Sequence, residues 1–264
     1  MRTFSGKTAW VTGASSGIGK QLVLALAKAG ATVIISSRKQ ADLIAVQSEC
    51  PNPNHILVLP FDLAEESSIP AIAKQALAIT GSIDYLFNNG GISQRSYVTE
   101  TQMDVYHRLM QINFFGTVAL TKAVLPDMMN AKSGQIIVIS SLMGKFASPL
   151  RSGYAAAKHA LHGFFDSLRF EIHDHNIGVL IVCPGFVKTN ISLNSVTADG
   201  SKHNEMDNAQ ENGMLASKCA AQILKAVQKS KHEVYIGGKE KYAIYLKRFL
   251  PKILYRVILK SKVT

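Results

Sequence analysis

Short apolar runs alternate with longer amphipathic stretches along almost the whole chain. Thr8–Val11 is such a run, leading through a Gly-rich turn into a predicted helix over Gly19–Ala29 that Gly30 stops. Thr32–Ser36 is rich in β-branched residues and predicts a second strand. Gln40–Ser48 predicts a helix ending before Pro51, Ile56–Leu59 a third strand, Ser67–Thr80 a helix and Tyr85–Phe87 a strand. A long helix follows over Gln102–Asn130, with Pro126 inside it. Gln135–Ile139 is then a buried strand, Tyr154–His173 a helix, Val179–Val182 a strand, Ala216–Lys229 a helix and Val234–Ile236 a last strand. Residues 192–213 are polar and turn-rich, and predict a mobile loop near the site.

Seven strands separated by helices predict an α/β fold: a doubly wound, seven-stranded parallel sheet with helices on both faces. Parallel neighbours need crossover connections, and the helices supply them. In such sheets a ligand lies beyond the C-terminal ends of the strands. No repeat or linker splits the body, so the expected division is residues 1–238 as one domain and 239–264 as a basic amphipathic tail.

Composition narrows the function classes. Of 264 residues 47% are apolar and mean hydropathy is +0.11, which excludes a disordered chain and an overall integral membrane protein. The formal charge of +11 is uneven, because residues 239–264 hold eight Lys/Arg against the single acid Glu240. The body is only mildly basic, so no nucleic-acid partner is expected. Cys50, Cys183 and Cys219 lie far apart without a C-x-x-C pair, which argues against a disulfide framework or zinc site and fits a reducing compartment. His159, His162, His173 and His175 lack paired ligand spacing, and no metal is expected. Met1–Lys7 has no apolar signal core and no long apolar run follows, so the expected location is cytoplasmic.

The chemistry gathers at strand ends. Thr12-Gly13-Ala14-Ser15-Ser16-Gly17-Ile18-Gly19 follows the first strand and opens the first helix. Small residues there let the backbone approach a pyrophosphate, and the helix N-terminus offers N–H donors and a positive dipole. The second strand ends in Ser36-Ser37-Arg38-Lys39, with two cations where NAD binders place an acid. A planar guanidinium suits a 2′-phosphate, so NADP(H) is the expected cofactor. Asp62 has two readings, an adenine contact or a helix cap. In Tyr154-Ala-Ala-Ala-Lys158 the phenol and ammonium share one helix face, and a nearby cation lowers a phenol pKa towards working pH. The spacing alone proves little, because Tyr235-Ile-Gly-Gly-Lys239 repeats it without a helical interior. Ser141, at a buried strand end thirteen residues upstream, sets Tyr154 apart.

Together the Gly-rich turn, Asn88-Asn89-Gly90-Gly91, Asn113, Ser141, Tyr154 with Lys158, and Pro184-Gly185 resemble the short-chain dehydrogenase/reductase family over residues 5–238. Within it, Asn-Asn-Gly-Gly-x-Ser-Gln-Arg-Ser with Gly-Tyr-x-x-x-Lys-His-Ala-Leu is most similar to the dehydrogenase/reductase member 7 group. The resemblance implies a Rossmann-type domain and an oxidoreductase interconverting a ketone or aldehyde and an alcohol. It implies Tyr154 as acid/base, Lys158 on the nicotinamide ribose, Ser141 holding the substrate oxygen, and Asn113 holding a water that links Lys158 to solvent. The cofactor set it implies is Gly13, Ser15, Ser16, Gly17, Ile18, Gly19, Ser37, Arg38, Asp62, Leu63, Asn89, Gly90, Gly91, Tyr154, Lys158, Pro184, Gly185, Val187 and Thr189. Gly90 departs from the family's usual Ala. Gln94, Leu142, Met143, Phe146 and Phe186 are pocket candidates beside Ser141, for a mainly apolar substrate such as a steroid, retinoid or lipid ketone. The alternative, a catalytically silent NADP(H)-binding scaffold or sensor, sits poorly with four intact catalytic types. Family resemblance also implies a homodimer or homotetramer.

The tail has two open readings. Residues 242–260 place Leu250, Ile253, Leu254, Val257 and Ile258 on an apolar stripe, with Lys252, Arg256 and Lys260 every four residues on another face. Such a segment lies in a membrane interface, or packs over the cleft or on a second subunit.

Overall fold

The computed structural model describes residues 3–260. Met1, Arg2 and the last four residues of the expected tail, including Lys262, lie outside the described residues. The chain runs β1 (Thr8–Thr12), α1 (Gly17–Lys28), β2 (Thr32–Ser36), α2 (Gln40–Ser48), β3 (Ile56–Val58), α3 (Ile69–Thr80) and β4 (Tyr85–Asn88). It continues through α4 (Met103–Met110), α5 (Gly116–Ala131), β5 (Gly134–Ile139), α6 (Ser152–Glu171), β6 (Ile177–Pro184) and β7 (Val187–Lys188). The last elements are α7 (Asn208–Glu211), β8 (Met214–Leu215), α8 (Ala216–Gln228), β9 (Glu233–Ile236), α9 (Ala243–Phe249) and α10 (Pro251–Lys260).

Seven strands form one parallel sheet in the order β3-β2-β1-β4-β5-β6-β9, as expected. Strands β1, β4 and β5 are buried throughout, which explains why they read as continuous apolar runs. The winding reverses between β1 and β4, and this opens the crevice beyond their C-terminal ends. One core layer packs α1 and α8 on the sheet through Leu22, Leu26, Ile223 and Val227. The opposite layer uses Trp10, Val124, Phe165 and Leu168 and recruits Leu254 from α10. Trp10 is the largest wholly buried side chain, and its Nε1 donates to Ser36 Oγ at 2.9 Å.

Two features depart from the expectation. The long helix over 102–130 is interrupted by a single wide turn at Gln111–Phe115, while Pro126 leaves α5 continuous. Within this turn the Asn113 side-chain amide donates to Leu109 O at 3.0 Å, so it shares a carbonyl of the helix. The 192–213 segment is not a free loop. It pairs Val196 with Gln94 and Lys202, carries the buried Asp207 and is closed off at its base by the flanking β7–β8 ribbon. The tail, whose readings were open, folds back over the cavity, and Leu254 is only 5% exposed.

Candidate active site

A cavity of about 940 Å3 opens beyond β1, β4, β5 and β6. Gly13 and Gly17 adopt φ of 62° and 55°, which side chains resist and which turns the chain from β1 into α1. Ser15, Ser16, Gly17 and Ile18 line the cavity at the start of α1, which has no acid in its first turn and no capping side chain. Those free N–H groups and the small side chains suit a pyrophosphate. Gly19 does not line the cavity: it is buried against the turn, where a Cβ would overlap Gly13 O. Its role is close packing, a correction to its place among the contacting residues.

The other expected cofactor residues gather on the same wall. Ser37 is half-buried and Arg38 and Lys39 are exposed at the cavity rim; the nearest acid there, Asp42, follows in the first turn of α2. Asp62 faces the cavity while its Oδ1 accepts from Ala64 N at 2.9 Å, so it caps a turn as well. Asn89 ties β4 to β1, its Nδ2 donating to Thr12 O at 2.9 Å and Gly13 O at 3.2 Å. Gly90 is matched to Leu63, whose Cδ1 would stand 2.5 Å from a Cβ there. The Ala usual in the family would therefore force Leu63 to move. A Cβ on Gly91 would overlap Asn113 Oδ1. Pro184, Gly185, Val187 and Thr189 close the opposite side, and Thr189 lies across Gly17. Gln210 of α7, missed in the sequence, holds that strand by donating to Val187 O and Thr189 Oγ1.

The four expected catalytic residues converge. Asn113 is wholly buried, its Oδ1 accepting from Ile92 N and its Nδ2 donating to Ile92 O, both at 3.0 Å. Ser141 starts a tight turn after β5, with Oγ accepting from Met143 N at 3.1 Å. Tyr154 and Lys158 are buried on α6, and the Tyr154 phenol shares the cavity with Ser141. Lys158 Nζ lies 5.8 Å from the Tyr154 ring centre and donates to Ile139 O at 2.8 Å. Burial lowers the Lys158 pKa to about 8. Burial also pushes the Tyr154 phenol up, opposed by the Ser141 hydrogen bond and by Arg95 and Arg151. The cations that oppose this rise are Arg95 and Arg151. The second spacing behaves as a control, because Tyr235 stands on β9 away from the cavity.

Met143, Phe146 and Phe186, the expected pocket residues, line the cavity. Gln94 does not. It is wholly buried, with Oε1 accepting from Gly153 N at 2.7 Å, so it anchors the start of α6. Sequence reasoning missed its neighbours Ser93 and Arg95, which do line the cavity, together with Arg151; Leu254, Val257 and Ile258 of the tail line it too, as the cleft-packing reading of the tail implies. Glu240 also lines it, with Oε1 accepting from Phe186 N at 3.3 Å and Gly238 N at 3.0 Å. Among the histidines, His162 is bonded to Ser140 Oγ at 3.1 Å and stands 3.6 Å from Cys183 Sγ. Burial lowers its pKa to about 4, and the nearby Glu233 is ion-paired with Lys145 at 2.7 Å. All three cysteines are free and buried.

Comparison with known proteins agrees with this geometry. The short chain dehydrogenase family model matches residues 7–199. A dehydrogenase/reductase SDR family protein 7-like from Drosophila melanogaster is 40% identical over 266 residues, covering 98% of this chain and 81% of its own length. Dehydrogenase/reductase SDR family member 7B from Rattus norvegicus is 40% identical, covering 94% of this chain and 79% of its own length. A short-chain dehydrogenase structure from Streptomyces avermitilis superposes with a TM-score of 0.82 at 29% identity, covering 96% of each chain. A short chain dehydrogenase/reductase from Burkholderia phymatum, solved in complex with NAD, shares the fold with a TM-score of 0.82 at 19% identity, over 100% of this chain and 98% of its own. Sheet order, cavity and relatives agree, and the chain belongs to the short-chain dehydrogenase family of oxidoreductases.

Proposed function

We propose that this protein is an NADP(H)-dependent oxidoreductase interconverting a ketone or aldehyde and an alcohol, with Tyr154 as its acid/base. The carrying observation is the buried Tyr154 phenol, gathered with Ser141, Asn113 and Lys158 where the cofactor turn and the apolar wall meet. When bound, the nicotinamide supplies or takes up a hydride. Tyr154 gives a proton to the carbonyl oxygen in reduction and removes it from the alcohol in oxidation. Ser141 holds that oxygen as a hydrogen-bond donor. Lys158, aimed at the cavity floor between Ile139 and Asn113, holds the ribose, and Asn113 fixes the Gly91–Ile92 backbone beside it.

NADP(H) over NAD(H) rests on Arg38 and Lys39 at the rim, with no acid at the end of β2. Arg38→Glu is expected to weaken NADPH binding at least about tenfold and leave NADH binding nearly unchanged. Fluorescence titration with both cofactors checks this, and an equal effect on both would remove Arg38 as the selector.

An apolar substrate fits the wall formed by Met143, Phe146, Phe186, Leu254 and Val257. The tail supports membrane contact through the part of the sequence stripe that stays outside, Leu250, Ile253 and Val257, and through further exposed residues. Leu254 and Ile258 turn into the core, whereas Phe249 is 73%, Tyr255 66% and Leu259 64% exposed beside Lys252, Arg256 and Lys260. That mixture of apolar and basic residues suits an anionic lipid surface. No helix among the described residues is long and apolar enough to cross a membrane. The chain is expected to float with vesicles containing phosphatidylserine, and Phe249→Ser with Tyr255→Ser and Leu259→Ser to abolish flotation. Equal flotation of both proteins would end this reading.

A further inference from the structure

Beside Tyr154 lies a buried ionic cluster built from three distant parts of the chain. Arg95 follows β4, Arg151 immediately precedes α6, and Asp207 begins α7 in the 192–213 segment. Their side chains are 3%, 6% and 2% exposed. Arg95 Nε donates to both Asp207 oxygens at 3.1 Å and its Nη2 donates to Oδ2. Arg151 Nη2 donates to the same Oδ2 at 3.0 Å. Arg95 is braced further by Ser93 Oγ at 2.9 Å and Gln94 O at 2.6 Å, and Arg151 by Ser148 Oγ at 3.3 Å.

A bulky ionic cluster is a costly way to anchor a loop, since apolar residues of similar volume often serve as well. Its position points to a further use. Both arginines line the active-site cavity, and Arg151 is three residues before Tyr154 on the face that α6 presents to it. The charged groups around the phenol are Lys158 one turn along α6, Arg151 at the head of α6, Arg95 from the β4 side and Asp207 behind both arginines. Ser141 meets it from β5, and Tyr106 of α4 approaches only through Ser152, at 3.2 Å. The hydrogen bond from Lys158 to Ile139 O leaves its ammonium in place, and the two arginines add their own charge at the phenol.

We propose that Arg95, Arg151 and Asp207 are positioning residues for Tyr154: one carboxylate fixes two guanidiniums that stabilise the phenolate, and docking of the 192–213 segment tunes them. Burial opposes the Asp207 carboxylate, yet the two guanidiniums hold its pKa below the usual range. Burial and the Arg95 charge lower the Arg151 pKa to about 10, so it remains a cation at working pH. The signs then follow. Removing a cation destabilises the phenolate and raises the Tyr154 midpoint. Removing Asp207 subtracts an anion while both cations stay, and lowers it.

The effect on turnover rests on Tyr154 being the acid/base, but the deciding measurement needs no substrate and so fails separately from that reading. Carbon NMR on the full chain, labelled at the tyrosine ζ carbon, follows each phenol through its titration; Tyr154→Phe identifies the resonance. Arg151→Gln is expected to raise the Tyr154 midpoint by roughly one pH unit, Arg95→Gln to do likewise, and Arg151→Lys to restore most of the wild-type value. Asp207→Asn is expected to lower it. Should Asp207→Asn fail to fold, the Gln and Lys variants at position 151 still decide. Unchanged midpoints in the Gln variants, or a Lys variant no better than Gln, would overturn the proposal and leave the cluster a structural anchor. Once a ketone substrate is in hand, the rising limb of alcohol oxidation should move to higher pH in Arg151→Gln by the same amount.

Discussion

Tyr154→Phe is expected to cut NADPH-dependent ketone reduction by about a hundredfold to ten-thousandfold while leaving NADPH affinity within a few-fold. The change removes one oxygen from a ring that is 8% exposed, so packing on α6 is retained. What is lost is the proton for the carbonyl oxygen. Lys158 keeps its bond to Ile139 O, and Asn113 keeps Ile92, so the cofactor wall is undisturbed. NADPH absorbance against a panel of ketones, with fluorescence for binding, separates the two quantities. Full turnover in the Phe variant would remove Tyr154 from the mechanism. Tyr235→Phe serves as the matched control, because its ring has the same sequence spacing and no place in the cavity.

Gly19→Ala is expected to destabilise the fold by about 1–3 kcal/mol and to weaken NADPH binding with it. The added methyl would overlap Gly13 O, come within 2.6 Å of Asn89 Nδ2 and press on the Gly13 carbonyl carbon at 2.8 Å. Two of these atoms are backbone, and the third is the amide that ties β4 to the turn, so none can swing aside. Helix propensity would favour the same substitution, which makes the sign informative. Gly163 on α6 provides the contrast: it is exposed and a methyl there would meet nothing within 4 Å. Gly163→Ala should therefore stabilise by up to about 1 kcal/mol. Urea unfolding with and without NADPH measures both. Equal stability and binding in Gly19→Ala would mean that the turn has slack that the packing does not show.

The strand and helix pattern was legible because a sheet covered on both faces needs unbroken apolar runs, such as Trp10–Val11 and Ile136–Ile139. The site was legible where chemistry is local: the Gly-rich turn, the strand ends and the Tyr154–Lys158 helix face. What escaped was set by contacts between distant residues. Arg95 and Asp207 are 112 positions apart, and nothing in either neighbourhood announces the other. The β7–β8 ribbon has two residues per strand, too few for any periodicity. Gln94 was misassigned because an extended chain alternates sides: Ser93 and Arg95 face the cavity, and the residue between them faces α6. The tail stripe was visible, but not which half of it the core would claim.

Glu240 gives that tail a practical meaning. Its carboxylate grips the backbone at Phe186 and Gly238, and the helices it leads into complete a cavity wall with Leu254 and Val257. A protein trimmed after Gly238 would lose the grip and the wall together with any lipid contact. It would score as a poor enzyme in a turnover assay and as a weak binder in a vesicle assay, for one shared cause. Fusion partners and affinity handles therefore belong at the other end of the chain, and assignments of the tail's duties need single-residue changes on its outer face.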